Sequence, residues 1–193
     1  MVIIQAGEPV LRQRARSLTP EEIRGREIQD LISQMRETMR AAPGVGLAAP
    51  QIGLPLQLAV IEDRKEYHKD VAAEQLALRE RRPVAFHVIA NPVIEIGGSD
   101  PVEFYEGCLS LPGFFAVVSR AHSVRVQCLD HKGKPETIEA SGWYARILQH
   151  EIDHLHGKLY VDRMNTRTFT SSSNFERYWK GKPIQQVRQE LGA

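Results

Sequence analysis

Ile28, Leu31, Ile32, Met35 and Met39 recur at three- and four-residue intervals, with polar and charged residues between them. That spacing keeps one face of a helix apolar and predicts an amphipathic helix over 26–41. Downstream the pattern changes. The runs Leu56–Ile61, Val84–Ile96, Phe114–Ser119, Val124–Leu129 and Thr137–Glu139 are separated by Gly, Pro and Asp turns and read as strands. Tyr144, Ile147, Leu148, Ile152 and Leu155 then return to helical spacing with no proline among them. A buried helix is expected over 142–156, stopped by Gly157. Helices at the ends and middle, with strands grouped between them, predict an α+β domain.

Two stretches stand outside this pattern. Residues 64–82 are highly charged and read as a solvated surface insertion with a helical turn at Ala72–Leu78. After Ser171-Ser172-Ser173, a loop placed to cap a short helix running to Trp179, Lys182-Pro183 breaks the chain and Ile184–Leu191 predicts a second helix. The expected division is therefore a main unit over 1–170 and a tail over 171–193, with no internal repeat.

Length and charge narrow the class. The 193 residues suit one domain with a sizeable core, and 25 basic against 24 acidic side chains give a net charge of +1. Such a balance gives no general attraction to nucleic acid or membrane. Two cysteines argue against a disulfide framework and for a reducing compartment. No 18-residue apolar run is present, and Met1-Val2-Ile3-Ile4-Gln5 lacks both signal-peptide and transit-peptide character.

The chemistry concentrates in His150-Glu151-Ile152-Asp153-His154. Residues i and i+4 stack on one helix face, so both imidazoles can reach one metal ion. Glu151 at the edge of that face can serve as general base without binding the metal. A catalytic site of this kind needs a third protein ligand. The position that would complete a longer His-rich pattern is Tyr160, which excludes it. Glu176 and Glu190 are available downstream in the polar tail, and Cys108 upstream in Glu106-Gly107-Cys108-Leu109-Ser110. A thiolate is a strong ligand for zinc or ferrous iron, and Gly107 lets backbone approach closely. Cys128 reads as a small buried apolar residue in a strand. His68, His87, His122, His131 and His156 lack ligand spacing, Asp153 suits an orienting role, and Glu106 suits an ion pair with a base such as Arg120.

Taken in order, Gly44-Val45-Gly46-Leu47-Ala48-Ala49-Pro50-Gln51, Glu106-Gly107-Cys108-Leu109-Ser110 and Gln149-His150-Glu151-Ile152-Asp153-His154 resemble the three signature motifs of the peptide deformylase family. The likeness extends from the N-terminus to about Met164. Gly142-Trp143, Ala145-Arg146-Ile147 and Arg167-Thr168-Phe169-Thr170 are closer to the branch that includes eukaryotic organellar enzymes. The resemblance implies antiparallel sheets wrapped around a central metal-binding helix. It implies hydrolysis of the N-formyl group from the formylmethionine of new polypeptides, releasing formate.

By the same likeness Cys108, His150 and His154 bind one divalent metal ion, ferrous iron in the cell, with zinc, nickel or cobalt able to replace it in purified protein. Glu151 is the base, and the Gln51 side-chain amide with the Leu109 backbone N–H stabilises the developing oxyanion. Gly44, Val45 and Gly46 would pair with the substrate backbone, and Val45, Gly107, Leu109 and Ile147 would line the methionine pocket. Two readings of Arg146 stand side by side: its stem rims the pocket mouth, or it makes an ion pair behind the helix. Some family members dock on the ribosome through a C-terminal helix; the net charge of +2 over 173–193, four basic residues less two acidic, is that of an ordinary solvated tail. A bacterial source would place the protein in the cytoplasm, and a eukaryotic one in an organelle after removal of a transit peptide. The rival functions are a metallopeptidase using Glu176 as third ligand and a closed structural metal site.

Overall fold

The computed structural model describes residues 1–42 and 44–193, with the backbone alone at Ser99. Helices α1 (Pro20–Arg24) and α2 (Arg26–Ala41) precede the short strands β1 (Gly46–Ala48) and β2 (Leu58–Asp63). Helix α3 (Ala73–Leu78) lies within the insertion. Strands β3 (Val84–Cys108) and β4 (Leu111–Leu129) form a long hairpin, followed by β5 (Pro135–Ser141) and α4 (Gly142–Leu155). The chain closes with β6 (Thr170–Ser171), α5 (Ser172–Asn174), a π-helical turn over Phe175–Trp179, and α6 (Ile184–Leu191). The sheet is antiparallel throughout, in the order β1-β2-β3-β4-β5, with β6 added to β4.

The predicted stripe on α2 is buried: Ile28, Leu31, Ile32, Met35 and Met39 pack with Leu47, Leu58 and Val60 in one apolar cluster. Each such side chain contributes about 1.5–3 kcal/mol relative to exposure. A second cluster packs Ala145, Ile147, Leu148, Ile152 and Leu155 of α4 against Ile61, Ile89, Val124, Val126 and Ile138. Helix α4 is buried from Ala145 to Gln149 and from Glu151 to Leu155. A helix covered on nearly every side is the centre of the fold, and any charge it carries must find a partner there. It ends as expected at Gly157, whose φ of 71° is left-handed and where a Cβ would lie 2.6 Å from the Arg12 carbonyl oxygen.

Both peripheral stretches are better anchored than their polarity predicts. Asp63, 1% exposed, closes the insertion at its root: Arg81 donates to it twice, at 2.7 and 2.9 Å, and His68 Nε2 lies 3.0 Å away. The backbone N–H of Trp143 in α4 donates to the Arg79 carbonyl at 2.9 Å. The tail packs Phe175, Trp179, Ile184, Val187 and Leu191 on Tyr105, Phe115 and Val117 of the hairpin, so it is not simply solvated. Arg188 adds an ion pair with Glu103 at 3.1 Å.

Candidate metal centre

Cys108 is the last residue of β3, and its cross-strand partner is Leu111, which leaves a two-residue connection of Leu109 and Ser110. The register shifts between Glu106 and Cys108, a bulge that re-aims the side chain at the strand end. Gly107 sits at that bulge under Phe115, where a Cβ would lie 2.8 Å from the ring. On α4, one turn separates His150 from His154, and their ring centroids are 4.9 Å apart. The ligand atoms of Cys108, His150 and His154 all lie within 4.8 Å of one another, with Cys108 Sγ 3.3 Å from His154 Nε2. Among the described residues this is the one group of three His, Cys, Asp or Glu side chains so arranged.

The donor set fits a divalent metal ion. Burial pushes the Cys108 thiol up, but His154 and His150 outweigh it and hold the group well below its ordinary value, favouring the thiolate. Bond lengths of about 2.0–2.3 Å around one ion place ligand atoms roughly 3.3–3.7 Å apart, close to the observed sulfur–nitrogen approach. His150 Nδ1 lies 3.0 Å from Glu106 Oε2. Burial raises the Glu106 carboxyl, yet Arg120 and His150 overcome this and keep it ionised. Nδ1 therefore donates, and Nε2 is left as the ligand atom.

Glu106 is the hub of a charged layer behind the ligands. Arg120 donates to it at 2.7 and 2.9 Å, as the sequence led us to expect, and bridges to Asp153 at 2.6 Å. Arg163 then donates twice to Asp153, at 2.6 and 2.7 Å. Arg146 belongs to this layer too, and here the pocket-mouth reading is corrected. The residue is 3% exposed, and its guanidinium donates to Glu106 at 2.6 Å and to the carbonyls of Val118 and Val102. One turn before His150, it reaches the same carboxylate from below. Pairing there avoids a buried, unpaired cation.

Glu151 is 4% exposed, and burial raises its carboxyl above the ordinary value. Its Oε2 has no hydrogen-bond partner among the described residues. Gly46 of β1 lies directly against it: a Cβ there would fall 2.2 Å from Oε1. Gly46→Ala should therefore destabilise the fold by about 1–3 kcal/mol through this clash. Denaturant unfolding measures it, and an unchanged midpoint would mean that β1 retreats freely. At Gly44 a Cβ would lie 2.8 Å from Leu109 Cδ1, so both glycines admit close neighbours.

Gln51 is 1% exposed and its amide has a fixed sense. Oε1 accepts from the Ala48 N–H at 2.9 Å, while Nε2 lies 3.4 Å from Cys108 Sγ and 3.3 Å from Ser110 Oγ. The NH₂ is thus turned toward the ligand cluster, as a donor must be. The Leu109 carbonyl accepts from Gln5 Nε2 at 3.3 Å, and the Leu109 side chain is half-buried beside Gly44. Ile147 is buried in the α4 cluster, with Val45 and Trp143 packed against it.

Two neighbours carried no sequence signal. Tyr160 is 1% exposed, stacks near His150 with ring centroids 6.4 Å apart, and donates to the Phe114 carbonyl. Phe104 packs edge-on to Trp143, 6.2 Å between centroids. Glu176, the rival third ligand, is exposed and paired with Lys180 at 2.8 Å. His156 takes no part in the cluster.

The family model for polypeptide deformylase matches residues 1–169. Peptide deformylase 1A, chloroplastic, of Solanum lycopersicum is 48% identical over 174 residues, covering 90% of this chain and 63% of that relative. Peptide deformylase 3 of Streptomyces avermitilis is 43% identical over 190 residues, 98% of this chain and 83% of the other. Among solved structures, the Met-Ala-Ser-bound class I type b peptide deformylase of Acinetobacter baumannii matches with a TM-score of 0.75 at 30% identity, over 85% of this chain and 98% of that one. The chain spans just under two thirds of the plant relative's length. A match over residues 1–169 takes in all three motifs and the elements that carry them, and on that ground the chain belongs to the polypeptide deformylase family.

Proposed function

We propose that this chain removes the formyl group from the N-terminal formylmethionine of new polypeptides, releasing formate, with residues 1–170 as the catalytic unit and the packed tail as its buttress. Cys108, His150 and His154 hold one divalent metal ion. When bound, that ion supplies a Lewis acid that makes water acidic near neutral pH and polarises the formyl carbonyl. Glu151 takes the proton from the attacking water and delivers it to the methionine nitrogen as the C–N bond breaks. The Gln51 NH₂ and the Leu109 backbone N–H donate to the oxygen on which charge develops, each worth about 3 kcal/mol in comparable sites.

Substrate binding follows from the same elements. Strand β1 ends the sheet path, so its outer edge is available to pair with an extended peptide through Gly44, Val45 and Gly46. Val45, Gly107, Leu109 and Ile147 offer small or apolar walls for the methionine side chain. Arg146 contributes from behind, through Glu106 and His150, and not as a pocket rim.

The observation that carries this reading is the approach of Cys108 Sγ to His154 Nε2 at 3.3 Å while Glu176 is paired on the surface. It favours a deformylase over a peptidase. Cys108→Ser should lose bound metal and activity together, whereas Glu176→Ala should keep one ion per chain. Metal content by elemental analysis, with formate release from a formyl-Met tripeptide by anaerobic ferrous-loaded protein, checks both. Retention of metal by Cys108→Ser and its loss in Glu176→Ala would favour the peptidase instead.

Ferrous iron suits this thiolate–imidazole set in the cell, and zinc, nickel or cobalt can replace it after aerobic purification. The partners are N-formylmethionyl peptides. A transient ribosome association gains no support from the tail: Lys180 and Lys182 pair with Glu176 and Glu190, and Phe175, Trp179, Ile184, Val187 and Leu191 pack on the hairpin. Among the described residues no helix is long and apolar enough to cross a membrane. The compartment follows the source, cytoplasm in a bacterium and an organelle in a eukaryote.

A further inference from the structure

Where the 64–82 insertion meets the first turn of α4, Arg79 lies against the half-buried rings of Trp143 and Phe104. Its guanidinium carbon is 4.9 Å and 5.5 Å from their centroids. Arg81 approaches Trp143 at 5.7 Å, and Arg146 approaches Phe104 at 5.2 Å and Trp143 at 6.0 Å. Three guanidinium groups thus surround one aromatic pair.

Their charges are not equally balanced. Arg81 is held by Asp63 and Arg146 by Glu106. Glu80 pairs with His122 and Glu103 with Arg188. Arg79 has no acidic partner among the described residues. Its Nε and the Trp143 Nε1 are both buried and lack acceptors. Arg79 is half-buried, no acidic side chain among the described residues balances it, and Arg81 and Arg146 act on it as like charges, so its guanidinium suits a negatively charged oxygen ligand.

The location is suited to a substrate group. Trp143 lies seven residues before His150, about 10 Å along the helix axis. An extended peptide advances about 3.3 Å per residue, so this distance matches the second or third residue after the scissile group. Val45, beside the β1 edge, packs in the same apolar cluster as Trp143.

Building on the deformylase reading, we propose that Arg79 and Trp143 form an anion-accepting subsite that binds the carboxylate of an acidic residue at the second or third position of the formylated peptide. Arg79 then acts as a specificity-determining residue supplied by the insertion.

The test compares kcat/KM for formyl-Met-Ala-Asp amide and formyl-Met-Asp-Ala amide with their Asn counterparts. The native, metal-loaded protein should favour Asp by about fivefold at one of the two positions, falling toward parity near 0.5 M salt. Arg79→Met should bring that ratio to one, and Arg79→Lys, which keeps charge but not the planar stack, should keep part of it. Calorimetry with the deformylated product peptides should give the same ratio in binding. Equal Asp and Asn ratios in the native protein and Arg79→Met, with the Asn peptides still processed, would overturn the subsite and leave Arg79 a staple of the insertion. Failure of the metal-replete native protein to release formate from any of the peptides would instead count against the deformylase reading, while the binding ratio would still report on Arg79.

Discussion

Glu151→Ala should lower kcat for formate release by about 10²–10⁴-fold while the protein keeps its metal and its fold. The carboxyl group is buried beside both histidines yet is not one of the three ligand donors, so its removal leaves Cys108, His150 and His154 in place. Nor does any described residue rely on Oε2 for a hydrogen bond, which limits the structural cost. Glu151→Gln is the sharper variant. It preserves shape but cannot accept the water proton, and its kcat should fall as far as that of the alanine variant. Single-turnover formate release with metal content measured on the same samples checks the claim. If the glutamine variant kept more than a tenth of native kcat, the proton would have to travel through another group.

The legible part of the site was the part governed by short-range spacing. Two histidines four apart share a helix face wherever that helix sits, and Tyr144, Ile147, Leu148, Ile152 and Leu155 were enough to define the helix. Cys108 is different. It comes from a hairpin 42 positions before His150, and no local pattern links the two; only the set of three motifs did. Spacing also placed Arg146 on the His150 side of the helix, but the direction of a long flexible side chain depends on what lies beneath it. A buried Glu106, shared with Arg120, determines that direction.

The strands show the same division. Val84–Ile96 was read as ending where Gly97, Gly98 and Pro101 punctuate the sequence, yet β3 continues to Cys108. Those residues mark a shift in register between Gly97 and Pro101, and not a turn out of the sheet. Polarity misled at the insertion and the tail because their anchors are distant or widely spaced: Asp63 holds Arg81 across 18 positions, and Ile184, Val187 and Leu191 are the three apolar residues of an otherwise polar helix, with Val187 fully buried.

Glu106→Leu should produce the largest loss of stability. The carboxylate is 5% exposed and accepts from Arg120 through both nitrogens of its fork, from Arg146 at 2.6 Å and from His150 Nδ1 at 3.0 Å. Its removal leaves Asp153 alone to balance Arg120 and Arg163, and leaves Arg146 buried with only the carbonyls of Val118 and Val102 as acceptors. Taking one partner from a buried charged network costs about 3–5 kcal/mol, well above the median for a surface pair. For a chain of this length each kcal/mol lowers Tm by about 2–4 °C, so a fall on the order of 10 °C is expected. Metal affinity should drop about 10–100-fold as well, because His150 loses the acceptor that orients its ring. Glu106→Gln keeps the volume, but its NH₂ faces guanidinium donors, so it should recover little of either loss. Thermal unfolding of metal-loaded protein and competition with a chelator measure the two effects separately. A Tm within 2 °C of native together with native metal affinity would show that Arg120 and Arg146 find other acceptors, and that the hub is a consequence of packing and not its cause.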